Sequence, residues 1–463
     1  FTHSYFLRFD PKQWAQQTPY PPLGTIYAAA VLRDNDWEVA LHDVMFAEGA
    51  ELLTEPLAKE KPDLLVVYDD GFNYLTKMCL TNMREAALEM CQMAKKTGAK
   101  VVVCSSDSTD HYEKYLDHGA DAVILGEGEL ALLEFAKKVE AGDDNYSDML
   151  GLAFRVDGKT VVTEKRPVIR DLDTLPPPAW DLIDIAPYQN SWKQHGYFSI
   201  NMATTRGCPY KCNWCAKPIY GNRYNSHSPS AKADELQYLV ENFGAEHVWF
   251  CDDIFGLKPG WVQEFSKEIK QRGLKIRFKI QSRSDLLLQS DTVAALAEAG
   301  CEEVWMGAES GSQKILDAMD KGITIEQIVE SRKMLKEHGI RAAFFLQFGY
   351  LGETWEDIQA TFDMLLTTMP DDIGVSVSYP LPGTGFYETV KSQLGEKSNW
   401  TDSDDLALMF KNTYSPEFYK RLHRYVHKRF RLAQAQEKGD LKRFWFGPAT
   451  SFAKRRLMSL GEV

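Results

Sequence analysis

The sequence predicts an α/β protein with a doubly wound parallel sheet, followed by an open barrel of strand-helix units and a helical region. Three observations support this prediction. The chain has 463 residues, which exceeds one ordinary core, and 44% of them are hydrophobic. Short apolar strands alternate with helices in residues 1–141 and again in residues 198–394, whereas residues 395–463 show helical spacing. Residues 142–197 read as a linker that contains a hairpin.

The N-terminal alternation predicts a Rossmann-like domain. The expected strands are Trp37–Val44, Asp63–Tyr68, Lys100–Cys104 and Ala122–Leu125, and the expected helices are Pro22–Arg33, Tyr74–Lys96 and Glu129–Glu140. Such sheets bind ligands at the carboxyl ends of their strands. The candidate lining is therefore residues 68–71, 105–107 and 126–129.

The linker carries two local signals. Residues Gly151–Glu164 predict a hairpin that turns at Asp157-Gly158. Residues 175–181 include three consecutive prolines and predict a stiff strap.

The second alternation predicts six strand-helix units, as in a partial (β/α)6 barrel. The expected strands are Phe198–Ala203, His247–Cys251, Arg277–Gln281, Glu303–Met306, Arg341–Phe348 and Ile373–Tyr379. Polar residues follow three of them, at Asp252-Asp253, at Arg283 and at Glu309. Because catalytic groups of α/β barrels lie where the strands end, these residues are candidates for a site.

A three-cysteine loop is the most specific motif of the chain. Cys208, Cys212 and Cys215 have the spacing C-x3-C-x2-C. Four-iron clusters normally take four thiolates, so three thiols predict a cluster with one iron open to another ligand. The alternatives are a zinc loop or three buried thiols, but a zinc site needs a further Cys or His, and none follows within a few residues. The other five cysteines lie in apolar surroundings and are expected to pack in the core.

These motifs resemble the cobalamin-binding radical S-adenosylmethionine (SAM) family, which includes the anaerobic magnesium-protoporphyrin ester cyclase and phosphinate-type C-methylases. The resemblance implies that SAM binds the open iron of a 4Fe-4S cluster through its amino and carboxylate groups, with Trp214 near the adenine. By position in the family, Asp252 or Asp253 would meet the SAM amino group, Arg283 its carboxylate and Glu309 its other polar groups. An N-cap of the following helix is the structural alternative for Asp252.

The same resemblance identifies the N-terminal domain as cobalamin-binding. It rests on Pro21-Pro22-Leu23-Gly24 and on the turn Gly126-Glu127-Gly128-Glu129. It implies that Leu23, Gly24, Ser105, Ser106 and the turn hold the corrin periphery and the nucleotide tail. No D-x-H-x-x-G motif occurs, so no histidine is assigned beneath cobalt, and Tyr68 or Asp69 is the candidate there. A flavodoxin-like domain with another ligand, or with none, is the alternative.

The implied activity is an enzymatic one. A 5′-deoxyadenosyl radical would activate a carbon that methylcobalamin then methylates, with electrons from an external one-electron reductant such as flavodoxin or ferredoxin. Oxidative cyclisation or rearrangement without methylation is the close alternative, and a non-catalytic cobalamin or redox sensor is a remote one. The expected substrate is a small or lipid-like molecule.

The composition indicates which classes of partner and which cellular compartment to expect. The net charge of −13 argues against nucleic acid as a partner, and no membrane-spanning run or signal peptide is visible. Free thiols and a labile cluster predict a reducing cytoplasm. Residues Tyr414–Leu432 predict a helix whose apolar stripe packs on the barrel, although its basic, aromatic face, like Phe444–Phe446, is also typical of a peripheral membrane contact or an anionic-substrate guide.

Overall fold

The computed structural model describes residues 1–72, 80–394 and 410–463. The chain divides into two units. The first comprises Phe1–Pro209 and Lys217–Asp253, and the second comprises Tyr210–Ala216 and Ile254–Val463. The division therefore falls inside the three-cysteine loop.

A five-stranded sheet organises the first unit. Its order is β1-β2-β3-β4-β5, with β1 to β3 parallel and the last two strands antiparallel. The strands are β1 (Leu64–Tyr68), β2 (Lys100–Cys104), β3 (Ala122–Ile124), β4 (Leu152–Val156) and β5 (Lys159–Val162). The predicted hairpin thus forms β4 and β5 and adds two strands to this sheet.

Helices cover both faces of the sheet. Successive residues of β1 alternate between two apolar clusters: Leu65 and Val67 belong to one, and Val66 and Tyr68 to the other. Burial on both faces is the property of a doubly wound sheet. The helices of this unit are α1 (Pro11–Gln16), α2 (Leu23–Arg33), α3 (Thr54–Glu60), α4 (Thr81–Thr97), α5 (Ser106–Asp110), α6 (Tyr112–Asp117), α7 (Glu129–Glu140), α8 (Ala186–Trp192) and α9 (Pro229–Phe243).

The strand predicted at Trp37–Val44 is wrong. Only an isolated bridge forms there, between His42 and Thr2, and Thr2 also bridges to Val67 of β1. The N-terminal residues therefore occupy the place beside β1 that the predicted strand would have taken. Trp37 and Val39 pack against the apolar core, which explains the misleading alternation.

Other N-terminal predictions hold with shifted ends. The helix predicted at Tyr74–Lys96 is observed from Thr81 to Thr97, and the first part of the prediction, residues 74–79, lies outside the described residues. The strand predicted at Ala122–Leu125 ends at Ile124.

The first unit also contains two pairs of strands from the second alternation. Strands β6 (Ser199–Met202) and β9 (His247–Phe250) pair in parallel, and β7 (Thr205–Arg206) and β8 (Asn225–Ser226) pair antiparallel. Asp252 follows β9, at the carboxyl end of the parallel pair.

Four parallel strands form the sheet of the second unit. They are β10 (Arg277–Ser282), β11 (Cys301–Glu309), β12 (Arg341–Phe348) and β13 (Asp372–Val377), paired in chain order. The helices are α10 (Trp261–Gln271), α11 (Ser284–Leu287), α12 (Thr292–Ala299), α13 (Gln313–Ala318), α14 (Ile325–Glu337), α15 (Trp355–Thr368), α16 (Gly385–Val390), α17 (Pro416–Glu437) and α18 (Arg443–Met458). The regular strand-helix alternation brings the carboxyl ends of these strands to one edge.

Helix α17 confirms the C-terminal prediction. It begins after Ser415, whose hydroxyl accepts a hydrogen bond from the Phe418 amide. The predicted stripe is buried, at Tyr419, Leu422, Tyr425, Val426 and Phe430. The stripe packs inward as an amphipathic helix requires.

Candidate functional site

The predicted ligand-binding turns of the first unit meet at the carboxyl ends of β1, β2 and β3. A Cβ atom at Gly128 would lie 2.6 Å from the Cys104 Sγ and 2.8 Å from the Tyr68 hydroxyl oxygen, so the turn after β3 closes directly over the other two strand ends. Gly126 has a φ of +91°, which a residue with a side chain rarely adopts. Gly126 is therefore required by its backbone angle, and Gly128 by the side chains that pack against it.

Two aspartates fix the end of β1 to its neighbours. The Asp69 carboxylate accepts hydrogen bonds from the Ser4 amide at 2.7 Å and the Ser4 hydroxyl at 2.8 Å, and burial raises its pKa. Asp70 accepts from the amides of Gly24, at 3.2 Å, and Phe72, at 2.9 Å. Asp70 thereby ties the first turn of α2 to β1, a role that the sequence analysis did not assign.

The residues after β2 form a helix cap. Ser105 and Ser108 make a capping box at the start of α5, with the Ser105 hydroxyl 2.8 Å from the Ser108 amide. Ser106 is buried in the same turn. The cap fixes the backbone at the position predicted to hold cobalamin.

A buried arginine connects the turn after β3 to the three-cysteine loop. The Arg206 guanidinium lies 2.6 Å from Glu127 and 2.8 Å from Glu129, and all three side chains are buried. Burial lowers the pKa of Arg206, but the two carboxylates hold it well above its ordinary value. Burial and Glu129 raise the pKa of Glu127, which Arg206 opposes. Sequence reasoning missed Arg206; a basic residue directly before Gly207-Cys208 was the available signal.

Aromatic rings enclose the same guanidinium. Its carbon lies 5.4 Å from the Tyr27 ring centre, 5.6 Å from that of Phe72 and 5.4 Å from that of Tyr220. These distances allow cation–π attraction, which grows when water is excluded. Arg206 is thus held by charge and by rings together.

The three-cysteine loop begins with a close backbone approach. Gly207 has a φ of +79°, and a Cβ atom there would lie 2.4 Å from the Arg223 carbonyl oxygen. Cys208 is buried, whereas Cys212 and Cys215 are half-buried. Among the described residues, no three His, Cys, Asp or Glu side chains are grouped as ligands of one metal ion. The donor set of three thiols fits a cubane, which binds each thiolate at a different iron.

In the second unit, Asn213 anchors the loop between Cys212 and Cys215. Its side chain donates to the Ala318 carbonyl at 2.7 Å and accepts from the Tyr350 hydroxyl at 2.7 Å. Its backbone bonds to Met319 and Phe386. The loop is therefore attached to the end of α13, to the segment after β12 and to α16.

A buried lysine that sequence reasoning missed lies beside this loop. The Lys321 ammonium is 2.7 Å from the Glu309 carboxylate and 6.0 Å from the Trp214 ring centre. Burial lowers the pKa of Lys321, but Glu309 and Cys212 raise it above its ordinary value. Glu309 itself has a φ of +59°, at a register shift between β11 and β12. The predicted SAM residue Glu309 is thus one half of a buried ion pair.

Arg283 contacts the three-cysteine loop at Tyr210. Its guanidinium stacks 3.6 Å from the Tyr210 ring centre and donates to Asp285 and to the Lys321 carbonyl, each at 2.9 Å. Arg283 therefore positions Tyr210 and the segment that carries Lys321.

Buried polar atoms without a partner among the described residues occur near the strand ends. Asp252 Oδ2 is such an atom in the first unit; in the second unit they include Trp214 Nε1, Ser284 Oγ, Gln347 Oε1 and Ser378 Oγ. A buried polar atom without a hydrogen bond is costly, so polar ligand groups are expected to satisfy such atoms in each unit. Ammonium groups fit the Asp252 oxygen, and carboxylate or hydroxyl groups fit the donors and acceptors of the second unit.

Asp252 has a second role that the N-cap alternative did not foresee. Its Oδ1 accepts from the amide and hydroxyl of Thr204 and of Thr205, at 2.5–3.1 Å. Burial raises its pKa to about 6. The next helix, α10, begins after Gly260, so the N-cap alternative is wrong. Asp253 is exposed.

Comparison with known proteins identifies the family. The profile of the radical SAM superfamily matches residues 202–365, and that of the B12-binding domain matches residues 17–136. An uncharacterised methyltransferase of Pyrococcus horikoshii is 30% identical over 391 residues, covering 83% of this chain and 81% of the relative. The chain belongs to the B12-binding radical SAM family. The cofactors of this enzyme are therefore a 4Fe-4S cluster, SAM and cobalamin.

Two further likenesses agree with this assignment. The anaerobic magnesium-protoporphyrin IX monomethyl ester cyclase of Rubrivivax gelatinosus is 26% identical over 82% of this chain and 67% of its own length. A radical SAM methyltransferase of Kitasatospora setae, solved with cobalamin and a 4Fe-4S cluster, has a TM-score of 0.70 at 19% identity, over 90% of this chain and 80% of that one.

The predictions of family, fold class, enzymatic function and cofactors are confirmed. In the part of the chain that the structure describes, every helix is too short or too polar to cross a bilayer. The roles of individual site residues and the domain boundaries stay predictions.

Replacement of Arg206 by methionine tests the buried ion cluster. Glu127 and Glu129 would remain buried without their cation, so Arg206→Met is expected to lower the free energy of unfolding by about 3–5 kcal/mol. Burial would then raise the Glu127 pKa further, and protonation would stabilise the fold. The difference in free energy of unfolding between Arg206→Met and the wild type should therefore shrink as the pH falls from about 8 to about 5. Urea unfolding across that range measures both effects.

The triple variant R206M/E127Q/E129Q is the matched control, because it removes the carboxylates together with the cation. It should recover most of the stability and lose the pH dependence. A loss of stability in Arg206→Met that is equally large at every pH would contradict the proposed buried ion cluster.

A cysteine replacement tests the cluster. Cys212→Ala should remove the iron and its visible absorbance, while cobalt from bound cobalamin stays near the wild-type level, since the predicted cobalamin residues all lie in the first unit. Cys301→Ala, in the buried start of β11, should retain both metals. Iron and cobalt analysis of anaerobically reconstituted protein provides the measurement. Zinc at these thiols in place of iron would contradict the assignment of an iron-sulfur cluster.

Proposed function

We propose that this enzyme methylates an unactivated carbon of a small or lipid-like substrate. The observation that carries the proposal is the likeness to the Pyrococcus horikoshii methyltransferase, which extends across 83% of the chain and includes both cofactor-binding domains. The buried oxygen of Asp252, which has no partner in the part of the chain that the structure describes, supports it, because the amino group of SAM would satisfy this oxygen.

The bound cofactors supply one-electron chemistry and the methyl group, and the protein supplies binding and orientation. Cys208, Cys212 and Cys215 would hold three irons of the cluster. Lys321, paired with Glu309, keeps a positive charge near the Cys212 thiolate. Thiolates gain from a nearby cation, so Lys321 is expected to stabilise the charged cluster loop.

The SAM-binding residues are proposed as follows. Asp252 would accept from the SAM amino group through Oδ2, since its Oδ1 already holds Thr204 and Thr205. Trp214 would lie near the adenine, and Glu309 near SAM's remaining polar groups. Arg283 would bind the carboxylate with the N–H groups that Asp285 and Lys321 leave available. Exposed Asp253 is the weaker candidate for the amino group.

The cobalamin-binding residues are those of the strand-end turns. Leu23, Gly24, Ser106 and the turn from Gly126 to Glu129 would line the corrin edge and the nucleotide tail. The meeting of this turn with the ends of β1 and β2 supports the proposal, because sheets of this kind bind ligands at the carboxyl ends of their strands. Asp69, engaged by Ser4, is a weaker candidate beneath cobalt than Tyr68. Electrons would come from a cytoplasmic reductant of the flavodoxin or ferredoxin type.

The pH dependence of SAM binding tests the role of Asp252. Its ionised form attracts the amino group, and its pKa of about 6 means that protonation removes this attraction below that pH. The affinity for SAM should therefore fall as the pH drops, by roughly tenfold at about one unit below the pKa. Calorimetry on anaerobic, reconstituted protein between about pH 5 and pH 8 provides the measurement.

Asp252→Asn should bind SAM weakly at every pH, and Asp253→Asn should behave as the wild type. If Asp253→Asn flattened the profile while Asp252→Asn kept it, the two assignments would have to be exchanged.

Isotope labelling tests the proposed reaction. Reduced enzyme is incubated with methyl-deuterated SAM and a metabolite and lipid extract of the source cells. One SAM should donate its methyl group and leave as S-adenosylhomocysteine, and a second should leave as methionine and 5′-deoxyadenosine. Mass spectrometry should find a product with the labelled methyl group, absent with Cys212→Ala. A product without label, formed with 5′-deoxyadenosine alone, would favour oxidative cyclisation instead.

A further inference from the structure

The second unit ends in a helical hairpin, α17 and α18, whose charge opposes that of the whole chain. Residues 416–458 contain twelve Lys and Arg against three Asp and Glu, although the chain as a whole carries a net charge of −13. A cluster of this density on an acidic protein indicates attraction to an anionic partner.

The hairpin also carries the most exposed large apolar side chains of the described residues. Their exposed fractions are 80% for Trp445, 75% for Leu441, 68% for Phe444 and 54% for Phe452. Single exposed apolar residues are ordinary, but a group of four on one short segment marks an interaction surface.

The packing of α18 directs these side chains outward together. Its buried residues are Thr450, Ala453 and Leu457, and the Thr450 hydroxyl donates to the Lys428 carbonyl of α17 at 3.1 Å. Phe444 and Phe452 are eight residues apart in the same helix, and so lie on one face, opposite the buried one. Helix α18 therefore buries Thr450, Ala453 and Leu457 and leaves its large rings exposed to solvent.

A shallow cationic groove runs between the two helices. Its volume is about 50 Å³, and it is lined by Arg421, Arg424 and Lys428 of α17 and by Phe452, Ala453 and Arg456 of α18. Four cations around so small a space fit phosphate oxygens, which arginine binds in a bidentate manner. The Phe452 ring at the same groove would stand beside the bound phosphate.

We propose that this hairpin docks on the anionic surface of a lipid bilayer. Phe444, Trp445 and Phe452 would enter the headgroup region, and the groove would bind lipid phosphates. Rings beside Lys and Arg are the composition of helices that lie in a membrane interface. An acidic protein would match the charge, whereas an anionic bilayer interface takes up both the cations and the inserted rings.

Vesicle sedimentation tests the proposal with the cofactor-loaded enzyme. Vesicles of phosphatidylglycerol and phosphatidylcholine in equal parts should bind the protein, and vesicles of phosphatidylcholine alone should bind it at least about tenfold more weakly. Binding to the anionic vesicles should weaken as salt rises, because surface charges are screened.

Two variants separate the contributions of rings and charges. F444S/W445S should reduce binding to the anionic vesicles by roughly tenfold or more, since two exposed rings would no longer enter the interface. R424Q/K428Q should reduce it by a similar factor and flatten the salt dependence. Trp14→Ser is the matched control, because Trp14 is a 45% exposed ring in the first unit, and it should bind as the wild type.

Circular dichroism and cobalt content establish that each variant is folded and loaded. Failure of the wild type to bind anionic vesicles at low salt would overturn the proposal. So would equal binding to neutral vesicles, or binding that F444S/W445S leaves unchanged. Binding of an acidic flavodoxin that R424Q/K428Q abolishes, without any vesicle binding, would assign the surface to a protein partner instead.

Discussion

The ion pairs of Arg206 with Glu127 and Glu129 are the interaction on which the first unit depends. Three charges are buried there, and removal of Arg206 would leave two carboxylates without a cation. The pairs join the turn predicted to hold cobalamin to the residue two positions before Cys208. Gly207 permits the next step of the chain, because no side chain fits beside the Arg223 carbonyl. The start of the cysteine loop and the cobalamin turn therefore share one anchor.

In the second unit, one buried ion pair and the Asn213 amide hold the cysteine loop in place. Lys321 and Glu309 are buried together beside Cys212, and Asn213 attaches the loop to three separate segments. Glu309 accepts an unfavourable backbone angle to make this contact. In both units, buried charge lies next to a part of the cysteine loop: Arg206 directly before it and Lys321 beside Cys212. Rigid support of this kind is what the positioning of reactive groups requires.

Local patterns explain which parts of this organisation the sequence predicted. Apolar runs predicted the parallel strands because those strands are buried on both faces. The same reasoning failed at Trp37–Val44, where partial burial produced the alternation while Thr2 supplied the pairing. Arg206 was missed because its carboxylate partner Glu127 is 79 residues away in the sequence, a distance over which no periodicity operates. Lys321 was missed because a lysine in a polar turn is ordinarily exposed.

The buried polar atoms that lack partners separate supporting residues from residues left available to a ligand. One oxygen of Asp252 accepts hydrogen bonds from Thr204 and Thr205, yet its other oxygen is buried without a hydrogen bond to any described residue. A protein that needed this side chain only for support would gain by satisfying both oxygens, since each unmet atom costs free energy. The same holds for Gln347 and Ser378 in the second unit. A polar ligand that donates to the Asp252 oxygen would recover this free energy, which is the property expected of a cofactor-binding residue.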